Sequence, residues 1–191
     1  MTKGRCMSDT PTLLPLLTYE EAPDGSRSIL EPMKNQIPNL YAALAHSPGL
    51  LSTYRHGYEL FRKDSGFDAT EQEIVFLAVS RYHDCRYCQA AHSAIAASNK
   101  VDPAVVAAVV GNQPLESEKW EALRQLTTDI VDSRGWPSRE ILEGFLAAGY
   151  TERQVLEIVL AIAVKTISNY TNHLIHTPID PRFASFAPAE A

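Results

Sequence analysis

Helix-start signals recur along the chain, and they constrain the fold more than any other feature of the sequence. Ser47-Pro48, Asp102-Pro103 and Ser138 each place a capping side chain in front of a helix-forming stretch. Few stretches alternate apolar and polar residues with the period of two that a half-buried strand requires. We therefore expect an all-α fold, a bundle whose Ala-rich and Leu-rich faces form the core.

A length of 191 residues is enough for one compact domain with a core of its own. Residues 1–27 carry turn-forming and polar side chains with little periodicity, so we expect a partly extended N-terminal arm there. Residues 28–180 are predicted to form a single helical domain, and residues 181–191 a C-terminal tail. The arm also contains Cys6, which we take as incidental because chain termini are commonly unstructured.

The widest break in the helical pattern is Gly111-Asn112-Gln113-Pro114, and it divides the domain into two possible repeat halves. These halves are residues 36–112 and 115–176. An offset of 81 residues aligns helical stretches of the two halves and places His92 on His173. We interpret this as an internal helical repeat in which one copy kept the chemically active residues.

The net charge of -6 describes an acidic globular protein, and the Lys and Arg residues are scattered. Nucleic acid is therefore not an expected partner, because phosphate contacts require a basic patch. No membrane contact is expected either. The most apolar stretch, residues 155–167, is interrupted by Glu157 and Lys165 and is shorter than the roughly 20 residues of a span. Without a recognisable secretory signal, we expect the protein to be cytoplasmic.

The sequence Cys85-x-x-Cys88-x-x-x-His92 is the strongest chemical motif, and Glu73 precedes its first cysteine by twelve residues. On a helix with 3.6 residues per turn, the two thiols and the imidazole lie at i, i+3 and i+7 and share one face. Asp84 is the expected N-cap of this helix. In the cytoplasm, a Cys-x-x-Cys pair is more often catalytic or metal-binding than structural.

The residue types in this motif suit the reduction of a peroxide. A thiol reacts as its thiolate, which a helix N-terminus, a neighbouring thiol and a histidine all favour. The spacing of Cys85 and Cys88 lets a sulfenic acid on one be resolved by the other into an intramolecular, redox-active disulfide. His92 can accept a thiol proton, and Glu73 can orient His92 or pass the proton onward.

Several of these positions also have structural interpretations. Thr70 and Glu73 have the spacing of a capping box, which would make Glu73 a helix-start residue. Tyr87, a possible supporting residue, is more readily explained as a packing aromatic. His173, the other possible supporting residue, either belongs to a buried polar cluster with Asn169 or lines the same pocket from the second half.

A metal site is the main chemical competitor, since two cysteines and a histidine are metal ligands. Zinc takes four ligands, usually from a second cysteine pair, and the body of the chain has no other cysteine. We therefore expect no metal and no cofactor.

Together, Glu73 and Cys85-x-x-Cys88-x-x-x-His92 resemble the alkylhydroperoxidase AhpD-like proteins of the carboxymuconolactone decarboxylase superfamily. The resemblance covers nearly all of the chain after about residue 30. It implies an AhpD-like helical bundle with an internal repeat, assembled as a homo-oligomer, a trimer or hexamer. It also implies Cys88 as the peroxidatic thiol, Cys85 as the resolving thiol, and His92 with Glu73 as the proton relay. Tyr87 departs from the pattern, because better-characterised peroxidase members have a histidine there.

The sequence therefore predicts a thiol-dependent peroxidase or dithiol oxidoreductase. Its substrate would be hydrogen peroxide or an organic hydroperoxide, and an unidentified dithiol would reduce it again. One alternative is a non-catalytic, redox-sensing oligomer whose cysteines oxidise once and stop. The other is a decarboxylase-type lyase, although that branch of the superfamily generally lacks the cysteine pair and its reaction has no evident use for a dithiol.

Overall fold

The computed structural model describes residues 12–189, and Cys6 lies outside that range. Within the described part there are nine α-helices, two 3₁₀ helices and no strand, which confirms the predicted all-α class. The α-helices are α1 (Asp24–Leu30), α2 (Asn39–Leu44), α3 (Pro48–Asp64), α4 (Ala69–Tyr82), α5 (Arg86–Ser98), α6 (Pro103–Val110), α7 (Glu118–Asp132), α8 (Arg139–Ala147) and α9 (Glu152–Ile175). The 3₁₀ helices are Glu31–Met33 and Pro181–Phe186.

Three predicted capping residues, Ser47, Asp102 and Ser138, begin their helices as expected. The Ser47 side chain accepts the Leu50 N–H at the start of α3, and Asp102 accepts the Ala104 N–H at the start of α6. Helix α1 includes the last four residues of the expected arm, residues 1–27, and a 3₁₀ helix occupies part of the expected tail, residues 181–191.

Helix α4 lies at the centre of the bundle and packs against α5, α6, α7 and α9. Every residue from 71 to 80 is buried, so this helix is covered on all its sides. A helix in that position can hold polar side chains only where other buried groups pair with them. Glu73 is such a residue, and its partners belong to the site described below.

The capping box of α4 lies earlier in the chain than predicted. Asp68 is the N-cap and accepts the Glu71 N–H at 2.8 Å, while the Glu71 carboxylate accepts the Asp68 N–H at 3.0 Å. The prediction of a box formed by Thr70 and Glu73 is therefore wrong. The physical reason is that Asp68 also offers a capping carboxylate with a glutamate three residues later, and the helix starts there. Glu73 is left without a capping role.

The link between α4 and α5 is only three residues long, and Asp84 adopts a left-handed conformation in it, with φ of 54°. The Cys85 N–H donates back to the Ser80 carbonyl at 2.9 Å, which closes the end of α4. Cys85 itself occupies the N-cap position of α5 without a side-chain capping bond, so the prediction that Asp84 caps this helix is wrong. The tight link places Cys88 in the first turn of α5.

The proposed repeat is not visible in the helix starts. Thr151 caps α9, but Thr70, its partner at the 81-residue offset, lies inside α4 because Asp68 is the cap there. Helix α9 also runs unbroken over 24 residues, whereas the corresponding stretch of the first half is divided into α4 and α5. The duplication stays a prediction.

Within residues 12–189, no helix is both long enough and apolar enough to cross a lipid bilayer.

Candidate active site

Cys88 and His92 open onto one cavity of about 150 Å³, which lies between α2, α3, α5, α9 and the C-terminal 3₁₀ helix. Aromatic side chains form much of its wall, and the polar groups that reach it are few. Its lining residues are Pro38, Leu40, Tyr41, Tyr54, Tyr58, Tyr87, Cys88, Ala91, His92, Ile95, Lys165, Arg182 and Phe183. We call this space the Cys88 cavity.

The Cys88 sulfur is buried and receives polar contacts from α9. The Asn172 amide donates to it at 3.3 Å, and Ser168 Oγ lies 3.7 Å from it. Burial alone would raise the pKa of the Cys88 thiol. The hydrogen bond from Cys85 and the positive charge of Lys165 outweigh that effect and hold the pKa well below its ordinary value. Of the two thiols, Cys88 is therefore the one whose thiolate form is favoured.

Cys85 has the opposite character. Its hydrogen bond to Cys88 and its burial raise the pKa of the Cys85 thiol, so Cys85 keeps its proton while Cys88 loses one. Both cysteines are free thiols in the structure. The Asn172 amide also lies 3.8 Å from the Cys85 sulfur and so contacts both members of the pair. This arrangement is a hydrogen-bonded dithiol in which the two sulfurs have opposite pKa shifts.

His92 and Glu73 form a buried pair that extends to Arg62. The Nδ1–H of His92 donates to Glu73 Oε2 at 2.9 Å, and Arg62 Nη2 lies 2.6 Å from Glu73 Oε1. Burial would raise the pKa of the Glu73 carboxyl, but its bonds from His92 and Arg62 lower it overall. Glu73 is therefore a buried carboxylate with a partner on each oxygen, as buried charges require.

The imidazole of His92 is neutral at physiological pH. Burial, reinforced by the positive charge of Lys165, lowers the pKa of His92 to about 4. Since Glu73 accepts the Nδ1–H, the other ring nitrogen, Nε2, carries no proton and is available as an acceptor. This assigns His92 the properties of a proton acceptor on the Cys88 cavity.

Lys165 is the most unusual residue of the site. It is 1% exposed, it lines the Cys88 cavity, and its Nζ has no hydrogen-bond partner among the described residues. The Phe76 ring, whose centre is 5.6 Å away, gives it one weak contact. Burying an ammonium group without a partner is costly. A thiolate or a bound anion in the cavity would offset that cost.

The two possible supporting residues, Tyr87 and His173, have different positions. The Tyr87 hydroxyl donates to Asp180 Oδ2 at 2.5 Å and accepts the Leu40 N–H at 3.2 Å, so it ties α5 to α2 and to the C-terminal segment. His173 is not among the residues that line the Cys88 cavity. Nor does it pair with Asn169, whose side-chain oxygen contacts His83 Nδ1 at 3.0 Å.

His173 and Cys85 line a second cavity, with a volume of about 380 Å³. The residues around it are Asp84, Cys85, Arg86, Tyr87, Asn172, His173, His176, Thr177 and Ile179. Among the described residues, Tyr87 alone lines both cavities. The structure thus brings the predicted residues together in two groups: Cys88, His92 and, behind them, Glu73 at the first cavity, and Cys85 with His173 at the second.

Four residues of this site were not anticipated from the sequence as parts of it: Arg62, Lys165, Ser168 and Asn172. The one available signal was Lys165, a lone cation in a stretch of α9 that is otherwise nearly all apolar. Arg62 offered no such signal, because it lies near the end of α3 where a basic residue is favoured by the helix dipole. Their roles depend on contacts between helices that are distant in sequence.

Within residues 12–189, no three His, Cys, Asp or Glu side chains are grouped so that they could hold a metal ion. His92 in particular uses one ring nitrogen for Glu73.

The sequence comparison identifies one family. Residues 48–127 match the carboxymuconolactone decarboxylase family, and this range contains Glu73, Cys85, Cys88 and His92. No curated protein sequence matches the chain significantly.

Similar solved structures cover almost the whole chain. The alkylhydroperoxidase AhpD core of a peroxidase-related protein from Ralstonia eutropha JMP134 superposes with a TM-score of 0.78 at 21% identity, over 91% of this chain and 95% of that one. A peroxidase-related protein from Silicibacter sp. TM1040 gives 0.74 at 19%, over 96% and 97%. The debrominase Bmp8, in a cysteine-to-alanine variant with 2,3,4-tribromopyrrole, gives 0.74 at 17%, over 93% and 96%.

At these identities the structural likeness establishes the fold. The sequence match agrees with the site, because the matched range carries the dithiol, the imidazole and the carboxylate. Residues 48–127 therefore match the carboxymuconolactone decarboxylase family, and the chain has an AhpD-like fold.

Proposed function

We propose that the protein is a thiol-dependent peroxidase that reduces hydrogen peroxide or an organic hydroperoxide through Cys88 and Cys85. The family match and the fold support a peroxidase-related or decarboxylase-type function. The observation that favours the peroxidase is the free, hydrogen-bonded thiol pair, with its nucleophilic sulfur at a cavity that also holds His92. A decarboxylase reaction would give that dithiol no chemical role.

In the first step, the Cys88 thiolate attacks one peroxide oxygen and the O–O bond breaks. The sulfur becomes a sulfenic acid, and the other oxygen leaves as hydroxide or alkoxide. Lys165 lies on the same cavity with no hydrogen-bond partner within residues 12–189, so its ammonium group is available to stabilise the developing negative charge. That role would explain why a cation is buried beside the thiol.

The proton follows a short path. Nε2 of His92 takes the proton that Cys88 loses, and the resulting imidazolium is stabilised by the Glu73 carboxylate at 2.9 Å. The imidazolium then protonates the leaving alkoxide. Arg62 holds Glu73 from the other side at 2.6 Å and so positions the pair without touching the peroxide.

In the second step, the Cys85 sulfur attacks the sulfenic acid and displaces water. The product is the Cys85–Cys88 disulfide, and the sum of the two steps is one peroxide reduced to alcohol and water for two thiols oxidised. Two electrons from a reducing dithiol return the protein to its starting state. Turnover distinguishes this enzyme from a redox sensor, which would oxidise once.

Reduction of a halogenated ring is a second candidate, favoured by the shape of the Cys88 cavity. A volume of about 150 Å³ with Tyr41, Tyr54, Tyr58 and Phe183 on its wall suits one small aromatic ring. One structural neighbour is a debrominase, seen with 2,3,4-tribromopyrrole. The Cys88 thiolate would take the halogen to form a sulfur–halogen bond while the ring carbon takes up a proton. Cys85 would then displace the halogen as halide and lose its own proton, so the same disulfide forms.

The peroxidase proposal is tested with Cys88→Ser and Cys85→Ser, using an artificial dithiol as electron donor. We expect Cys88→Ser to abolish turnover of hydrogen peroxide and tert-butyl hydroperoxide. Cys85→Ser should also lose turnover, yet form one sulfenic acid per chain that dimedone traps and mass spectrometry detects. Unchanged turnover in Cys88→Ser would refute the proposal. Release of bromide from a bromopyrrole, with no peroxide turnover in the wild type, would favour the second candidate.

We further propose that the protein is a homo-oligomer, a trimer or hexamer. Helix α9 exposes four large apolar side chains, an arrangement that a partner surface would cover. They are Leu156, Val159, Tyr170 and Leu174. Sedimentation equilibrium gives the mass directly, and a monomer at micromolar concentration would contradict this assignment.

A further inference from the structure

We propose that the second cavity, next to Cys85, is the binding site for the dithiol that reduces the disulfide. This thiol would carry hydroxyl or amide groups, and oxidant and reductant would reach the cysteine pair through different cavities. The inference rests on the proposed function for its place in a catalytic cycle. Its structural basis is independent of peroxide chemistry.

The first observation is that the two sulfurs line different cavities. Cys88 lines the cavity of about 150 Å³ that also holds His92 and Lys165, and Cys85 lines the one of about 380 Å³. Tyr87 lies between them, and its position is held by the bond from its hydroxyl to Asp180. A small molecule in the larger cavity therefore reaches Cys85 without passing His92.

The second observation is that the larger cavity contains polar atoms without partners. Asn172 Oδ1, His173 Nε2 and Thr177 Oγ1 are buried and have no hydrogen-bond partner among the described residues. Asn172 and Thr177 are each more than nine-tenths buried. Leaving such atoms unpaired is unfavourable, so a ligand that pairs with them gains affinity. The set can both donate and accept, as a ligand hydroxyl or amide requires.

The third observation concerns which sulfur a reductant should attack. In thiol–disulfide exchange, the sulfur that leaves is the one with the more stable thiolate. The Asn172 amide at 3.3 Å and Ser168 Oγ at 3.7 Å surround Cys88, and Lys165 adds a positive charge there. Cys88 is therefore the better leaving group, and the attack falls on Cys85, the sulfur that faces the second cavity.

Reduction of the Cys85–Cys88 disulfide proceeds through a mixed disulfide. A thiolate of the reductant attacks Cys85 Sγ, the Cys85–Cys88 bond breaks, and Cys88 leaves as a thiolate. The reductant is now joined to Cys85 by a mixed disulfide. Its second thiolate attacks its own sulfur in that bond, which releases Cys85 to take up a proton and frees the cyclic disulfide of the reductant.

The test uses one substitution at each cavity. Ile179→Trp narrows the second cavity, and Ile95→Trp narrows the Cys88 cavity by the same change of side chain. The disulfide is first formed with diamide, so no peroxide is needed, and its reduction by dithiothreitol is followed by stopped flow. Oxidation of the reduced protein by tert-butyl hydroperoxide is measured separately.

We expect Ile179→Trp to slow reduction of the disulfide at least tenfold and to change the rate of oxidation less than twofold. Ile95→Trp should do the reverse. If Ile95→Trp slows reduction and Ile179→Trp does not, the assignment of the second cavity is wrong. If the wild type does not react with peroxide at all, the proposed function fails, but the reduction measurements still decide this inference.

The chemical class of the reductant is tested with a matched pair of probes. Butane-1,4-dithiol is dithiothreitol without its two hydroxyl groups, and each rate is divided by the rate of the same probe with a small reference disulfide. We expect the protein to prefer dithiothreitol, and Thr177→Val, which keeps the side-chain volume and removes the hydroxyl, to reduce that preference. This second variant does not add bulk. Equal normalised rates in the wild type would overturn the polar class of ligand.

Discussion

The imidazole of His92 is held by Glu73 through a hydrogen bond of 2.9 Å, and this bond determines which ring nitrogen is free. Glu73 occupies the Nδ1–H, so Nε2 remains as an acceptor beside the Cys88 cavity. The same carboxylate binds Arg62 at 2.6 Å on its other oxygen. Glu73, a buried side chain of α4, therefore both orients the imidazole of His92 and pairs with Arg62 in the core.

The substitution Glu73→Gln should show the contribution of Glu73 to proton transfer separately from its contribution to stability. The amide can still accept the Nδ1–H, but it cannot stabilise an imidazolium, so we expect peroxide turnover to fall about tenfold to a hundredfold. Arg62 would lose a buried charge partner, which should lower the free energy of unfolding by about 3 kcal/mol. Urea denaturation and steady-state kinetics measure the two effects. Glu59→Gln, at an exposed pair with Arg55, is the control and should change either quantity little.

Lys165→Met tests whether the buried cation stabilises the thiolate. Without the charge of Lys165, the pKa of Cys88 should rise, which lowers the rate of alkylation near neutral pH. The free energy of unfolding should stay the same or increase by about 1 kcal/mol, because a buried ammonium group is replaced by an apolar side chain of similar length. Thiolate absorbance against pH gives the first quantity. The exposed Lys63→Met variant provides the baseline, and an unshifted titration would exclude the role.

The lowered pKa of His92 predicts a loss of stability in mild acid. Folded His92 titrates at about 4 and the unfolded residue at about 6.5, so the unfolded chain binds more protons between these values. Stability therefore falls as pH drops through this window, by about 2 kcal/mol between pH 7 and pH 5. Glu73, whose pKa is lowered from 4.5, contributes only as the pH falls below that value. Urea unfolding of the wild type and His92→Gln at both pH values isolates the effect, which the variant should lack.

Tyr87→Phe tests a structural role for the residue that departs from the family pattern. The variant keeps the ring on both cavities and removes the hydroxyl that Asp180 accepts at 2.5 Å. We expect the free energy of unfolding to fall by about 2 kcal/mol, the cost of losing a hydrogen bond to a charged group. The rate of Cys88 oxidation should change less than threefold. A much larger kinetic effect with intact stability would make Tyr87 part of the reaction.

The sequence was informative where structure is local. Side chains such as Ser47, Asp102 and Ser138 begin helices at the positions expected, because a cap depends only on the next few residues. The capping box of α4 lies two residues earlier than predicted because two pairs with the same spacing, Asp68–Glu71 and Thr70–Glu73, overlap there. Asp84 was misassigned because its left-handed backbone reflects the tight turn between two packed helices.

The chemical motif could be predicted from the sequence for the same reason, whereas the residues that surround it in space could not. Cys85, Cys88 and His92 lie within two turns of one helix, so their spacing alone predicts a shared site. Asn172 and Lys165 reach that site from α9, about eighty residues further along the chain. Their contribution depends on how α9 packs against α5, and a pattern of residue types along the chain does not contain that information.

The range that matches the family ends at residue 127, and this boundary divides the site into two sets of residues. The two cysteines, His92 and Glu73 come from within it. The groups that tune the thiol pair, Lys165, Ser168 and Asn172, come from beyond it. A relative could therefore share every residue of the motif and still differ in the acidity of its cysteine. The acidity of the cysteine pair in such proteins would be changed by exchanging one face of the last long helix while the motif residues stay the same.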